Sequence, residues 1–338
     1  MIDLETLLQP VADEAPCGRD CEYDPVFGEL ERAAAGRAEQ RMGDEIIPAE
    51  PPDWPTVTDH AQALFTETRD LRVGILLARA AMHSEGLPAL ADGLTLVRRL
   101  TEDFWDSIYP QLDAEDDDDP TLRVNSLLAL NDREGFVGDV LALPVVAERQ
   151  LGRFSLRDVK LANGDLDPAG DEDRPDAALI NGAFIGAELD ELQASADAVT
   201  RAAEEFAALK ALLDDKVGAA GPDLSLLAGE LKALQGLFAD KLDSRGVAVD
   251  APEGGVAEDG AATISAPSGE IRSRDDVIRN LDRICAYFQE HEPSSPVPLL
   301  LERAKRLVSM SFVEILEDMT PSGVAEAKIV GGIVDSDY

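Results

Sequence analysis

From Leu189 to Phe238 the apolar residues recur at a spacing that leaves one kind of secondary structure open. Leu189, Leu192, Ala196, Val199, Ala203, Phe206, Leu213 and Val217 step by three and four residues, and Lys210 breaks the run. A half-buried strand would show alternation, so this near-heptad stripe predicts a long helix. Gly218 to Pro222 turns the chain, Asp223 caps the return, and Leu227, Leu231, Leu234 and Phe238 continue the pattern. Such a stripe needs a partner. Both an antiparallel hairpin within the chain and a coiled coil between subunits satisfy the spacing.

The same period recurs elsewhere. A short helix around Pro25–Gly36 carries Phe27, Leu30 and Ala34. Asp53 is placed to cap a helix with Pro55 in its first turn and Val57, Ala61, Leu64 and Phe65 on its apolar face. A helix follows from Asp70, Gly86 breaks the pattern, and a third runs to Trp105. Asp113 to Pro120 is an acidic loop, and Thr121 to Leu130 is another helix. Residues 136–185 hold short apolar pieces that read mostly as short helices. Aromatics are 5% of the chain, which favours helix over sheet. The fold class is therefore all-α in the main.

Near the C-terminus, Glu292, Pro293, Ser294, Ser295, Pro296 and Pro298 form a stiff turn, with Ser295 as N-cap and the prolines in the first helical turn. Leu300, Ala304, Leu307 and Val308 share one helix face; Glu302, Arg303, Lys305 and Arg306 share the other. Upstream, Val277, Ile278, Leu281, Ile284, Cys285 and Phe288 make a second stripe opened by Ser273, and a short apolar helix is expected from Phe312 to about Met319. A hairpin this small buries too little to stand alone, so it is expected to pack on a partner or on its own copies. Gly246 to Gly269 is rich in Gly, Ala, Pro, Asp, Glu and Ser and reads as a flexible acidic linker reaching on the order of 25–30 Å. The resulting division is a helical domain at 1–165, a central helical hairpin at 166–245, a linker at 246–270 and a small helical oligomerisation domain at 271–338.

Charge and chemistry narrow the function. A net charge of −38 repels phosphate, so no nucleic acid and no anionic membrane is expected as partner. Three cysteines, no basic and apolar leader and no run of 18 apolar residues predict a cytoplasmic chain with no membrane insertion. His60, His83 and His291 are scattered, Cys17 and Cys21 have no second pair, and the 113–119 loop lacks the glycine and glutamate of a calcium loop. No P-loop, dinucleotide turn or nucleophile elbow occurs. The expectation is no catalytic residue, no metal and no cofactor. Arg69, Asp70 and Arg72 stand out in so acidic a chain. Asp70 can cap a helix while the arginines pair locally, or the three can form a patch for an acidic partner. Trp105 is expected to anchor helix packing.

An ordered set of motifs resembles the ImpA-like (TssA) family of the bacterial type VI secretion system. It comprises Pro16-Cys17-Gly18-Arg19-Asp20, Tyr23-Asp24-Pro25 with Phe27, Asp53-Trp54, Thr68 to Val73, Glu85-Gly86-Leu87, Phe104 to Pro110, and Asp119-Pro120-Thr121 with Arg123-Val124-Asn125. At the other end, Ser273-Arg274, Leu281 to Cys285, Glu292 to Leu307 and Phe312 with Ile315-Leu316 follow the family's order. The resemblance implies a non-enzymatic component. It would form a homo-oligomeric ring through its C-terminal domain and associate with baseplate, contractile sheath and inner tube. Arg69, Asp70, Arg72, Trp105, Glu292, Pro293, Ser294, Ser295, Pro296, Pro298, Leu300, Arg303 and Leu307 are the expected assembly and interaction residues. A monomeric adaptor for an acidic partner and a metal-dependent carboxylate enzyme remain as alternative readings.

Overall fold

A computed structural model describes residues 2–37, 40–42, 45–170, 172–246 and 297–308, together with Ile278, Leu281, Ile284 and Cys285. Most of the linker read at 246–270, the Glu292–Pro296 turn and the Phe312–Met319 helix lie outside the described residues. The chain divides into two compact units, Met1–Glu253 and Gly254–Tyr338.

Helices dominate the first unit, in the order expected for an all-α chain. They are α1 (Leu4–Leu7), α2 (Pro25–Ala35), α3 (Trp54–Phe65), α4 (Leu71–Glu85), α5 (Leu87–Asp103), α6 (Thr121–Leu128), α7 (Phe136–Ala142), α8 (Leu156–Asn163), α9 (Ala177–Gly186), α10 (Leu189–Val217) and α11 (Ser225–Ser244). Local chemistry sets many of the boundaries. The Asp53 carboxylate accepts from the Thr56 amide at 3.3 Å at the start of α3. Asp70 accepts from the Arg72 amide at 2.8 Å at the start of α4. Gly86, at φ +73°, ends α4 and begins α5 in one residue. Ser155 and Asp158 form a reciprocal capping box on α8.

Packing follows chain order through α2, α3, α4 and α5, and then α10 lies along α5 before α11 returns against α10. The long stripe is thus buried inside its own chain, as the hairpin reading expects, but between two helices. Its buried residues are Leu192, Ala196, Ala198, Val199, Ala202, Phe206, Leu209 and Leu213. Ala198, Ala202 and Leu209 lie off the heptad line, and Leu209 takes the place where Lys210 broke it. A helix wedged between two neighbours buries a wider arc than a two-helix seam. α4 and α5 approach closely where Gly93 faces Ala78: a Cβ on Gly93 would sit 2.6 Å from the Ala78 Cβ. One buried cluster runs from Ile2 to Leu242.

Two short antiparallel hairpins interrupt the helices: β1 (Gln40–Met42) with β2 (Glu45–Ile47), and β3 (Pro144–Glu148) with β4 (Gly152–Ser155). The expectation of short helices over 136–185 holds for α7, α8 and α9 and fails at 144–155. There Val145 and Val146 are buried, Ala147 is exposed, and Val146 pairs with Phe154. In the second unit a helix, α12 (Val297–Val308), begins one residue before Pro298, where the prolines predict a start.

Candidate functional site

Three loops that are distant in sequence meet at the N-terminus of α4. The Arg69 amide donates to Cys17 O at 2.9 Å and the Arg19 amide to Glu67 O at 3.1 Å. The Tyr109 amide donates to Arg69 O at 3.0 Å, and the Leu71 amide to Tyr109 O at 2.9 Å. Residues 67–71 are therefore held between residues 17–19 and residue 109. Gly18 has to be glycine: its φ is +67°, and a Cβ would lie 2.0 Å from Glu67 O. The Cys17 Sγ sits 3.2 Å from Ser107 Oγ. Burial pushes both the Cys17 and the Cys21 thiols above their ordinary pKa, so neither is a thiolate at neutral pH.

Three arginines fasten the junction from inside. Arg69 donates to Gln9 O at 2.6 and 3.0 Å, to Thr68 O at 2.9 Å and to Phe65 O. Burial lowers its pKa, and among the described residues no carboxylate pairs with it. Arg123 is fully buried and donates to Pro110 O at 3.0 Å, Ile108 O at 2.8 Å and Trp105 O, with its guanidinium 4.7 Å from the Trp105 ring. Burial pushes its pKa down to about 10, which leaves it cationic at neutral pH. Arg72 grips the buried Asp70 at 2.8 and 3.1 Å, reaches Glu22 at 2.9 Å and lies over the Phe27 ring at 4.8 Å. Burial alone would lower the Arg72 pKa, but the Asp70 and Glu22 carboxylates outweigh it and raise it.

Motif residues of 17–19, 67–72, 105–110 and Arg123 thus come together, and they do so as fold determinants. Arg69, Asp70 and Trp105 are buried, and Asp70 caps α4 as the local reading has it. Arg72 alone of the Arg69–Arg72 group keeps a partly exposed edge. At the other end, Pro298, Leu300, Arg303 and Leu307 are on α12, with Leu300 67% exposed. Glu292, Pro293, Ser294, Ser295 and Pro296 lie outside the described residues.

The exposed edge of Arg72 opens on a groove between α2, α4 and α6 with a volume of about 520 Å³. Ala34, Ala35, Ile75, Leu76, Pro110 and Leu122 supply its apolar lining, and Glu22, Glu31, Arg72 and Arg79 its charges. Arg79 is fixed by Asp139 at 2.5 Å and lies over the Trp54 ring at 5.2 Å. The groove follows from an inversion in α6, which buries Arg123 and leaves Leu122 62% exposed. In the sequence the inversion leaves only Leu122 beside Arg123, a pair that becomes readable once the core face of α6 is known. Among the described residues, no group of three or more His, Cys, Asp or Glu is placed to hold a metal ion. A groove that is mostly apolar, charged at intervals and built on rigid helices can bind a protein segment.

Comparison with known proteins gives the junction a context. The family model described as ImpA, N-terminal, type VI secretion system matches residues 8–132, which contain the whole junction. Over 343 aligned residues the sequence is 41% identical to the type VI secretion system component TssA1 of Pseudomonas aeruginosa, covering 98% of this chain and 99% of that protein. In fold, 73% of the chain superposes on a solved N-terminal domain that includes the conserved ImpA_N region of the TssA component from Burkholderia cenocepacia. The TM-score is 0.60 at 21% identity, and 96% of that domain is covered.

Proposed function

This chain belongs to the TssA family of type VI secretion system components, and on that premise we propose that it is a non-enzymatic assembly factor of the secretion machine. Its C-terminal unit builds a homo-oligomeric ring, and its N-terminal unit docks on baseplate, contractile sheath or inner tube in the cytoplasm. The observation that carries this reading is the identity to a TssA component across nearly the whole of both chains. Two structural facts agree with it. Among the described residues no helix is long and apolar enough to cross a membrane. In the C-terminal unit, Leu300 and Ile284 are aliphatic and exposed, as a surface covered by other copies would be. Presenting many N-terminal units on one ring would raise their effective concentration at a repetitive target.

Within this reading, the groove between α2, α4 and α6 is the docking surface, and the buried arginines keep its walls in place. The test is binding of purified full-length protein to the purified baseplate, sheath and tube proteins of its own secretion system, one at a time. Leu122→Asp places a charge at the exposed apolar edge, where it should leave the fold intact. At least one of these proteins should bind the parent chain, and Leu122→Asp should weaken that binding by about tenfold or more. Binding to none of them, or equal binding by parent and variant, refutes the docking assignment.

A further inference from the structure

A second surface lies away from the groove, where the turn of the β3–β4 hairpin meets α9. The helix carries no charged residue, and it buries Ile180, Ala183 and Phe184. Its other side exposes Leu179 at 47% and Ile185 at 73%, beside Asn181, whose side-chain oxygen accepts from Lys241 at 2.7 Å. Large aliphatic side chains left exposed together on a helix without charges mark a surface that a partner can cover. The hairpin adjoins it: a Cβ on Gly182 would lie 3.0 Å from the Leu151 Cδ1, and Leu151 is itself partly exposed.

The turn beside this apolar strip is basic in a chain of net charge −38. Arg149 and Arg153 are both exposed, and among the described residues neither has an ion-pair partner. The acid of the turn itself, Glu148, is committed to the backbone, where its carboxylate accepts from the Gln150 amide at 2.7 Å and the Leu151 amide at 2.8 Å. Two uncompensated guanidinium groups therefore stand two residues to either side of the exposed Leu151.

We propose that the β3–β4 turn and the outer face of α9 dock a short amphipathic segment of a partner protein, with aliphatic residues at helical spacing and acidic residues beside them. Leu151, Leu179 and Ile185 receive the aliphatic side, and Arg149 and Arg153 pair with the acids. Charge complementarity selects an acidic occupant. Size argues against a second copy: ten helical residues span about 15 Å, and a face about 10 Å wide then offers on the order of 150 Å², well short of the roughly 800 Å² per partner of a stable protein interface. The surface is separate from the groove, so the inference does not depend on the function proposed above.

The test uses full-length protein and two synthetic, fluorescein-labelled helical peptides, measured by fluorescence anisotropy. Both peptides carry leucines along one face; one has glutamates flanking them and the other lysines. The glutamate peptide should bind and the lysine peptide should not. Arg149→Glu with Arg153→Glu should weaken binding by about tenfold or more, as should Ile185→Asp. Arg32→Glu with Lys232→Glu, the same charge change at exposed sites elsewhere, should leave it unchanged. The far-ultraviolet circular dichroism of every variant should match the parent. No binding of the glutamate peptide overturns the proposal, as does equal binding of the two peptides. Equal weakening by the two charge pairs also overturns it, because bulk charge would then be responsible. So does self-association of the parent chain that only the hairpin variants lose, which would make a second copy the occupant.

Discussion

Arg123 shows what the motif arginines of the N-terminal half do. It is a full charge whose hydrogen bonds, among the described residues, all go to carbonyl oxygens rather than to a carboxylate: three carbonyls and the Trp105 ring hold it. Removing it leaves those buried acceptors without a donor, the costly side of a hydrogen bond. Arg123→Met should therefore lower the unfolding free energy by about 3 kcal/mol or more, read from urea denaturation at neutral pH. A loss below about 0.5 kcal/mol would mean that the guanidinium is dispensable to the junction. At the surface, Arg157 holds Glu172 through two 2.6 Å bonds and lowers the carboxyl pKa from 4.5 to about 2. A depressed acid favours the folded state when ionised. Its contribution is present in full above about pH 4.5 and is lost as pH falls through about 2. Glu172→Gln should thus flatten the acid limb of the stability profile in that window, measured by thermal melts at stepped pH. An unchanged limb would show that the pair is not maintained in solution. The sequence displays Arg69, Asp70, Arg72, Trp105 and Arg123 as noticeable residues. It does not display their direction, because a buried arginine satisfied by carbonyls has no local signature.

At the scale of elements, much of the first unit is legible from spacing and caps. Asp53, Asp70 and Gly86 mark helix boundaries because each acts on backbone groups a few residues away. The β3–β4 hairpin was not legible in this way. Its turn, Arg149-Gln150-Leu151, contains no Asn-Gly or Asp-Gly pair, and its register shifts between Pro144 and Val146. The face that α10 turns to α5 was equally hidden, since a period specifies that a stripe is buried but not by how many neighbours. The groove, too, depends on which side of α6 meets the core, and Leu122 beside Arg123 hints at it only after the inversion is known. Close approach of α4 and α5 gives the prediction that belongs here. Gly93→Ala gains about 1 kcal/mol of helix propensity but forces a methyl to 2.6 Å from Ala78 Cβ. Overpacking of this kind costs about 1–3 kcal/mol, so the substitution should lower the melting temperature. A raised melting temperature would mean that the two helices separate freely.

For the whole molecule, composition and function meet in the contrast between its two units. The first, Met1–Glu253, encloses a continuous core of buried aliphatic and aromatic side chains. It needs no second chain to bury the long stripe of α10, which removes the main reason to place a coiled coil between subunits there. Under the proposed function, self-assembly falls to Gly254–Tyr338, where Leu300 is exposed on α12 and the sequence pattern calls for a partner. The measurement that bears most directly on this account is the solution mass of the full chain and of a chain ending at Glu253, by light scattering after gel filtration at physiological salt. The account predicts a discrete multimer for the full chain and a folded monomer for the shortened one. A multimer from the shortened chain, or a monomer from the full chain at micromolar concentration, would contradict it.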